Sequence, residues 1–226
     1  MIFCLLCHSR NITLFLTLTE NIPWELYGID KNNHPDNLKY FQCNTCKLIF
    51  KDPAIRAKVE NEKQHYLKHN NQTENEEYQN YMLKLIEPLK KYIKKGDEGL
   101  DFGAGYSAVM EQMFRKLGYT CFSFDPIFCF DEKLLDREYD FITCSEAAEH
   151  FCDPFQEFQV IFKLLKPEGH LAIRTKFGPK ENFKDWWYHR DPTHVVFYSD
   201  ETFLYIANKF HRKISFLEND ISIFYK

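Results

Sequence analysis

The residues best able to do chemistry fall into three groups. The first is Leu100-Asp101-Phe102-Gly103-Ala104-Gly105, followed by Asp125-Pro126. An apolar run ending in an acid, then a Gly-x-Gly turn, then a second acid about 20 residues on is the pattern with which α/β folds grip an adenosyl nucleoside. Gly103 and Gly105 lack a Cβ, so the backbone can turn sharply and come close to a ligand. Asp125 offers a carboxylate to both ribose hydroxyls. The competing reading is that the glycines serve only a tight turn and Asp125 caps the next helix.

The second group is Glu146, Glu149 and His150. Spacings of three and four residues put them on one face of a helical turn. His194, in Asp191-Pro192-Thr193-His194, follows the next predicted strand and should emerge at the same edge of the sheet. Together they offer two carboxylates and two imidazoles, a set suited to Mg²⁺ or Mn²⁺. Without a metal, His194 can act as a general base with His150 and Glu146 beside it. The bland reading is a set of satisfied structural side chains. The third group is Cys4-x-x-Cys7 with Cys43-x-x-Cys46, whose four thiolates match tetrahedral Zn²⁺ and leave no open position for catalysis. A redox dithiol is the alternative.

Positioning these groups requires alternating strands and helices. Strands are predicted at 99–102, 120–124, 141–144 and 170–175, and helices at 107–117, 155–165 and 200–210. A Pro167-Glu168-Gly169 turn precedes the fourth strand, and a hairpin of 213–217 with 221–225 closes around Asn219-Asp220. The alternation implies an α/β, Rossmann-like fold, with a mostly parallel sheet, helices on both faces and an antiparallel hairpin at the end. Residues 126–138 are too few for a helix and a strand, so the third strand of a seven-stranded-type sheet is shortened or absent. Residues 1–54, with β-rich runs at 12–18 and 40–42, read as a small zinc-ribbon-like unit, and 55–80 as a polar helical linker. Residues 81–226 form the large domain, entered by a helix over 81–93 in which Met82, Leu85, Ile86 and Leu89 recur at helical spacing.

A net charge of −4 on 226 residues gives no broad basic field for long nucleic-acid duplexes. A small-molecule or sugar-like substrate fits best, with an RNA terminus still open. No apolar run approaches the roughly 20 residues of a membrane span, and no cationic leader precedes one. The expectation is a cytoplasmic protein without a membrane partner, where paired cysteines read as metal ligands rather than disulfides.

Gly103-Ala104-Gly105-Tyr106-Ser107-Ala108 also satisfies the dinucleotide pattern, so an NAD(P)-type oxidoreductase is an alternative. Asp101, two residues before the first glycine, suits an amino group and would repel a pyrophosphate. A further alternative is a non-catalytic binding protein on the same scaffold.

The successive motifs Leu-Asp-Phe-Gly-Ala-Gly, Phe-Asp-Pro, Tyr-Asp-Phe-Ile-Thr-Cys-Ser-Glu-x-x-Glu-His with Asp153-Pro154, and Leu-Leu-Lys-Pro-Glu-Gly are similar to those of class I S-adenosylmethionine-dependent methyltransferases, of the Methyltransferase-23 kind. The likeness spans about residues 80–226, and the cysteine-bearing segment resembles the zinc-binding segment fused to some bacterial members. The resemblance implies S-adenosylmethionine as cofactor. It places Asp101 at the methionine amino end, Gly103, Ala104 and Gly105 beneath the cofactor, Asp125 and Pro126 at the ribose, and Ser145 and Glu146 alongside. Ser107 stands where a third glycine is often found. Glu146, Glu149, His150 and distal His194 resemble the metal site of the small-RNA 2′-O-methyltransferases, and a related Glu-x-x-Glu-His occurs in ubiquinone-pathway O-methyltransferases. This implies an oxygen acceptor. Trp186, Trp187, Tyr188 and Arg190 would then form a substrate lid or stacking wall, or else a hydrophobic plug on the sheet.

Overall fold

The computed structural model describes every residue except 1, 21, 31–33, 58, 68–74, 179–180 and 218–219. Ahead of the polar segment the chain forms an antiparallel meander of β1 (Ile12–Leu18), β2 (Leu38–Cys43) and β3 (Ile49–Lys51). Two helices follow, α1 (Val59–Tyr66) and α2 (Glu76–Leu89). Apolar spacing predicts the second from residue 81, but it begins at Glu76, because the Asn75 side chain accepts the Tyr78 backbone N–H and caps it early. Linker residues 68–74 lie outside the described residues.

The parallel part of the large sheet comprises β4 (Glu98–Phe102), β5 (Thr120–Phe124), β6 (Tyr139–Ser145) and β7 (Leu165–Arg174). The crossover after β7 yields β8 (Val196–Phe197), and the hairpin of β9 (Lys213–Leu217) and β10 (Ile221–Tyr225) then returns antiparallel to β7. The large sheet runs β5-β4-β6-β7-β10-β9. Asn219 of the hairpin turn lies outside the described residues. Residues 126–138 hold an isolated bridge from Asp125 to Cys129 and a 3₁₀ turn (Glu132–Leu135), and no strand forms there among the described residues. Pro167-Glu168-Gly169, read from sequence as a turn, lies inside β7. The register against β6 slips between Tyr139 and Phe141, a bulge that accommodates a residue with no N–H for the ladder.

Helices α3 (Val109–Lys116), α4 (Pro154–Lys163) and α5 (Asp200–Lys209) complete the layers. Asp153 and Ser199 cap α4 and α5 by accepting the N–H groups of Gln156 and Thr202. α3 starts two residues after its predicted position, because Ala108 takes a left-handed conformation at φ 48°. On one face Leu85, Ile86, Leu89, Met110 and Phe114 pack with Phe141 and Ile223; on the other, Phe158, Ile161, Phe203 and Ile206 pack with Leu100, Ile142 and Phe224. Each such buried side chain contributes roughly 1.5–3 kcal/mol, so burial of both faces fixes the strand ends that carry the loops. Among the described residues, no helix is long and apolar enough to cross a membrane.

β8 pairs with β3 rather than with the large sheet, setting Phe197 opposite Ile49 and Val196 opposite Phe50. The small sheet therefore runs β1-β2-β3-β8 and takes its last strand from the crossover.

Candidate cofactor and metal sites

β4 and β5 end side by side, and the loop after β4 is drawn across the end of β5. The N–H groups of Gly103 and Ala104 both donate to the Phe124 carbonyl, at 2.8 and 3.1 Å. Gly103 and Gly105 lie in the left-handed region at φ 82° and 65°. A Cβ on Gly103 would stand 2.5 Å from that of Ala147, whereas one on Gly105 would meet nothing within 4 Å, so only backbone conformation calls for glycine there. The loop lines a cavity of about 570 Å³ together with Asp101, Ala104, Asp125, Pro126, Ser145, Glu146 and His150. Every residue the motif assigns to the cofactor is in this lining. Sequence reasoning missed the opposite wall, where α1 supplies Glu62 and Tyr66 and α2 supplies Tyr78 and Met82. Only the apolar spacing at Met82 hinted at it.

Asp101 is buried, accepts the Thr143 hydroxyl at 2.8 Å, and has its carboxyl pushed up to about 7 by burial. A cationic amino group would return it to the carboxylate form. Asp125 does two jobs. One oxygen accepts the N–H groups of Ile127 and Phe128 at 2.8 and 3.0 Å, and the other accepts that of Gly105 at 2.9 Å. With three of roughly four acceptor positions used, the carboxylate has capacity for one ribose hydroxyl rather than both.

The second group assembles differently from its sequence pattern. Glu146 adopts φ 50°, and the turn that follows is a short 3₁₀ segment (Ala148–His150). The spacing of an α-helix is therefore lost, and Glu146 stands beside the others rather than among them, reaching Glu149 through the Tyr188 hydroxyl, 3.4 Å from its carboxylate. It accepts the Tyr81 hydroxyl at 2.6 Å, lies 3.9 Å from the Arg174 guanidinium, and has its carboxyl raised to about 7, chiefly by burial. Glu149, His150 and His194 do come together, with one candidate ligand atom from each lying within 4.8 Å of the others. Glu149 is 1% exposed; one oxygen accepts the Tyr188 hydroxyl at 2.5 Å and the other has no hydrogen-bond partner among the described residues. His150 Nδ1 donates to the Thr193 carbonyl at 3.0 Å, and His194 Nδ1 donates to the Tyr188 carbonyl at 2.8 Å. A carbonyl can only accept, so both protons sit on Nδ1 and both Nε2 atoms present lone pairs, 3.9 and 4.0 Å from Glu149 Oε1. Burial lowers both imidazole pKa values and keeps the rings neutral. Two neutral nitrogens within 4.0 Å of one oxygen of a buried carboxylate are donor types that fit a divalent cation.

Trp186, Trp187, Tyr188 and Arg190 do not line the cavity. Trp186 packs with Phe183 and Phe197 at centroid distances of 5.5 and 5.9 Å, Tyr188 is buried against Glu149 and His194, and Trp187 and Arg190 are exposed. Of the expected wall, Trp186 and Tyr188 pack inward as the plug of the alternative reading has it, while Trp187 and Arg190 face outward.

The four cysteines converge at the head of the small sheet. The sulfurs of Cys4 and Cys46, and those of Cys7 and Cys43, are 3.4 Å apart, all four lie within 4.8 Å of one another, and none forms a disulfide. Each pair closes a matching knuckle in which the residue after the second cysteine, His8 or Lys47, is left-handed and donates its N–H to the first cysteine's carbonyl. Four thiols at this spacing fit a tetrahedral zinc with Zn–S bonds of about 2.3 Å.

The same sheet holds the crossover in place. Buried Lys51 donates its backbone N–H to the Val195 carbonyl at 2.9 Å, and its Nζ to the Tyr27 hydroxyl at 3.1 Å and the Asp191 carbonyl at 3.0 Å. Tyr40 donates to the His189 carbonyl at 3.1 Å. The segment that carries His194, and the carbonyls that orient both histidines, is thus anchored at each end on β2 and β3.

A fold of this topology with an acidic Gly-x-Gly cavity defines a class I methyltransferase scaffold. Residues 73–210 match the Methyltransf_23 family, a methyltransferase domain, and the chain belongs to that family. Membership supports S-adenosylmethionine-dependent methylation over the dinucleotide alternative. No curated protein matches the chain. Among solved structures, a SAM-dependent methyltransferase from Archaeoglobus fulgidus is similar at 21% identity and TM-score 0.50, over 62% of this chain and 72% of that one. A chain from the complex of the Haloferax volcanii Trm112 methyltransferase activator with a methyltransferase is similar at 12% identity and TM-score 0.50, over 72% and 96%. Haemonchus contortus phosphoethanolamine N-methyltransferase 2, in complex with S-adenosyl-L-methionine, is similar at 19% identity and TM-score 0.46 over 60% of this chain, which spans 38% of that protein. At these identities the likeness is one of fold.

Proposed function

We propose that the protein transfers a methyl group from S-adenosylmethionine to an oxygen of a small acceptor, with a divalent cation held by Glu149, His150 and His194. The supporting observation is the pair of Nε2 lone pairs within 4.0 Å of one oxygen of a buried carboxylate, whose other oxygen has no partner among the described residues. Two imidazoles and one carboxylate suit a borderline ion such as Mn²⁺ better than Mg²⁺. When bound, such a cation lowers the pKa of an acceptor hydroxyl. The remaining work is positioning, because a sulfonium is already activated and leaves as a neutral thioether. Asp101 takes the amino group, Asp125 takes one ribose hydroxyl, and the glycine turn lets the cofactor lie against the backbone. Tyr188 fixes Glu149 by its hydrogen bond, and Glu146 faces the cavity without joining the metal group. Cys4, Cys7, Cys43 and Cys46 hold a structural Zn²⁺, consistent with a reducing, cytoplasmic setting.

Titration with S-adenosylhomocysteine and with NADH, followed by labelled-methyl transfer with Mn²⁺, Mg²⁺ or chelator, tests the reading. The expected result is saturable S-adenosylhomocysteine binding and transfer that Mn²⁺ enhances and His194→Ala abolishes. NADH binding alone overturns the cofactor assignment, and binding without transfer favours a non-catalytic role. Transfer that is indifferent to chelator and survives His194→Ala removes the metal.

A further inference from the structure

The cofactor cavity straddles the end of the large sheet. Of its walls, Met82, Val109 and Met110 belong to the core packed on the α2 and α3 face, and Phe102, Phe124 and Phe151 to the core on the α4 and α5 face. Side chains alternate along a strand, so with Phe102 on the second face Asp101 points to the first. The two acids assigned to the cofactor therefore fix its direction. Its amino group lies at Asp101 on the α3 side, its ribose at Asp125 just past the end of β5, and its base must continue beyond Asp125. The Phe128 ring there is already engaged by Tyr66 and Tyr106, at centroid distances of 6.2 and 5.9 Å, which leaves the lobe on the α4 side. β5 is the edge of the sheet and residues 126–138 form no strand beyond it, so this lobe is closed by Leu135 and by Glu157 and Val160 of α4.

The lobe is built for a flat apolar ring. Phe102 and Phe124 stand 5.2 Å apart between centroids, and Phe151 meets Phe102 edge-on at 6.2 Å. Glu157 is the carboxylate that α4 brings to these rings, and its side chain makes no hydrogen bond among the described residues. Glu62, by contrast, already accepts the Tyr66 hydroxyl at 2.8 Å. Burial raises the Glu157 carboxyl above its ordinary range, with Asp153 adding to the effect, and a donor arriving at it offsets part of that desolvation. We infer that Glu157 is a specificity residue for the cofactor: the base occupies the α4-side lobe, between apolar walls, and its 6-amino group donates to the Glu157 carboxylate. This rests on the S-adenosylmethionine reading above.

The test is calorimetric binding of S-adenosylhomocysteine and of its 6-deamino analogue, in which hydrogen replaces the amino group, to the full-length protein and to Glu157→Gln and Glu157→Ala. The unmodified protein should prefer S-adenosylhomocysteine by about tenfold or more, the scale of a hydrogen bond to a charged group. Glu157→Gln still offers an amide oxygen, a neutral acceptor about half as strong, so its preference should fall to about threefold. Glu157→Ala should bind the two ligands within about twofold of each other. A change in the shape of the lobe weakens both ligands alike, so the ratio isolates the pairing of amine and carboxylate. Equal affinities in the unmodified protein, or a preference that neither variant reduces, overturns the inference. Should Glu157→Ala fail to fold, the ratio in Glu157→Gln decides. No binding of S-adenosylhomocysteine to the unmodified protein refutes the cofactor site itself, whereas intact binding with an unmoved ratio refutes only the role of Glu157.

Discussion

Replacing Lys51 by methionine should remove a pH dependence of stability that the unmodified protein carries. Lys51 is 1% exposed, and desolvation holds its pKa down at about 7, against an ordinary 10.5, with Asp191 offsetting this only in part. In the unfolded chain the amine stays protonated up to its ordinary value, while in the folded protein it loses its proton near pH 7. Between those limits the unfolded state binds one more proton, so stability rises with pH by about 1.4 kcal/mol per unit. Below pH 7 both states are charged, and the whole penalty of burying the ammonium remains. From pH 7.5 to 9.5 the contribution of Lys51 is therefore about 2–3 kcal/mol. Urea unfolding of both proteins at the two pH values, with zinc constant, yields the comparison. The unmodified protein should gain that much more than Lys51→Met, since thiols and phenols common to both cancel. Equal gains would refute the reasoning, because they would mean that Nζ keeps its proton in the fold. At the higher pH the variant should be the less stable, by about 1–3 kcal/mol, since the Tyr27 hydroxyl and the Asp191 carbonyl each lose a buried partner.

Cofactor affinity should fall as pH drops through 7, by up to about tenfold per unit, because Asp101 must ionise to receive an ammonium group; calorimetry at pH 6 and 8 should show this slope, and Asp101→Asn should flatten it. Gly103→Ala should lower the melting temperature and S-adenosylhomocysteine affinity more than Gly105→Ala, since both strain the backbone but only the first meets Ala147. An equal effect in the two would show that Ala147 moves freely. Cys46→Ser should release the zinc measured by elemental analysis and weaken His194-dependent Mn²⁺ binding; retention of one zinc per chain would contradict the four-thiolate site.

The parts of the molecule that were legible in the sequence are those set by local patterning. The β4 loop, β5, the terminal hairpin and the shortened segment before Asp140 each follow from apolar runs punctuated by glycine, proline or acid. What escaped was non-local. Glu62, Tyr66 and Tyr78 look like solvated helix residues until α1 and α2 turn them over the cofactor cavity. The separation of Glu146 from Glu149 depends on a left-handed residue and a 3₁₀ turn where the spacing suggested an α-helix. The aromatic run at Trp186–Tyr188 carries the same composition whether it stacks on a substrate or fills a core; that Trp186 packs on Phe183 and Phe197 and Tyr188 is buried while Trp187 is exposed is decided by tertiary packing alone.

The pairing of Ile49 and Phe50 with Phe197 and Val196 also dictates an order of events at the ribosome. Chains emerge N-terminus first, so the meander is complete long before its fourth strand exists. During that interval β3 presents an apolar open edge, a template for pairing with other nascent chains. The four thiols are already available at that stage, and a metal captured by them would lock β2 to β3 and hold the edge in register until β8 arrives. Zinc scarcity would then be felt as aggregation of newly made protein before it was felt as loss of activity in the mature one.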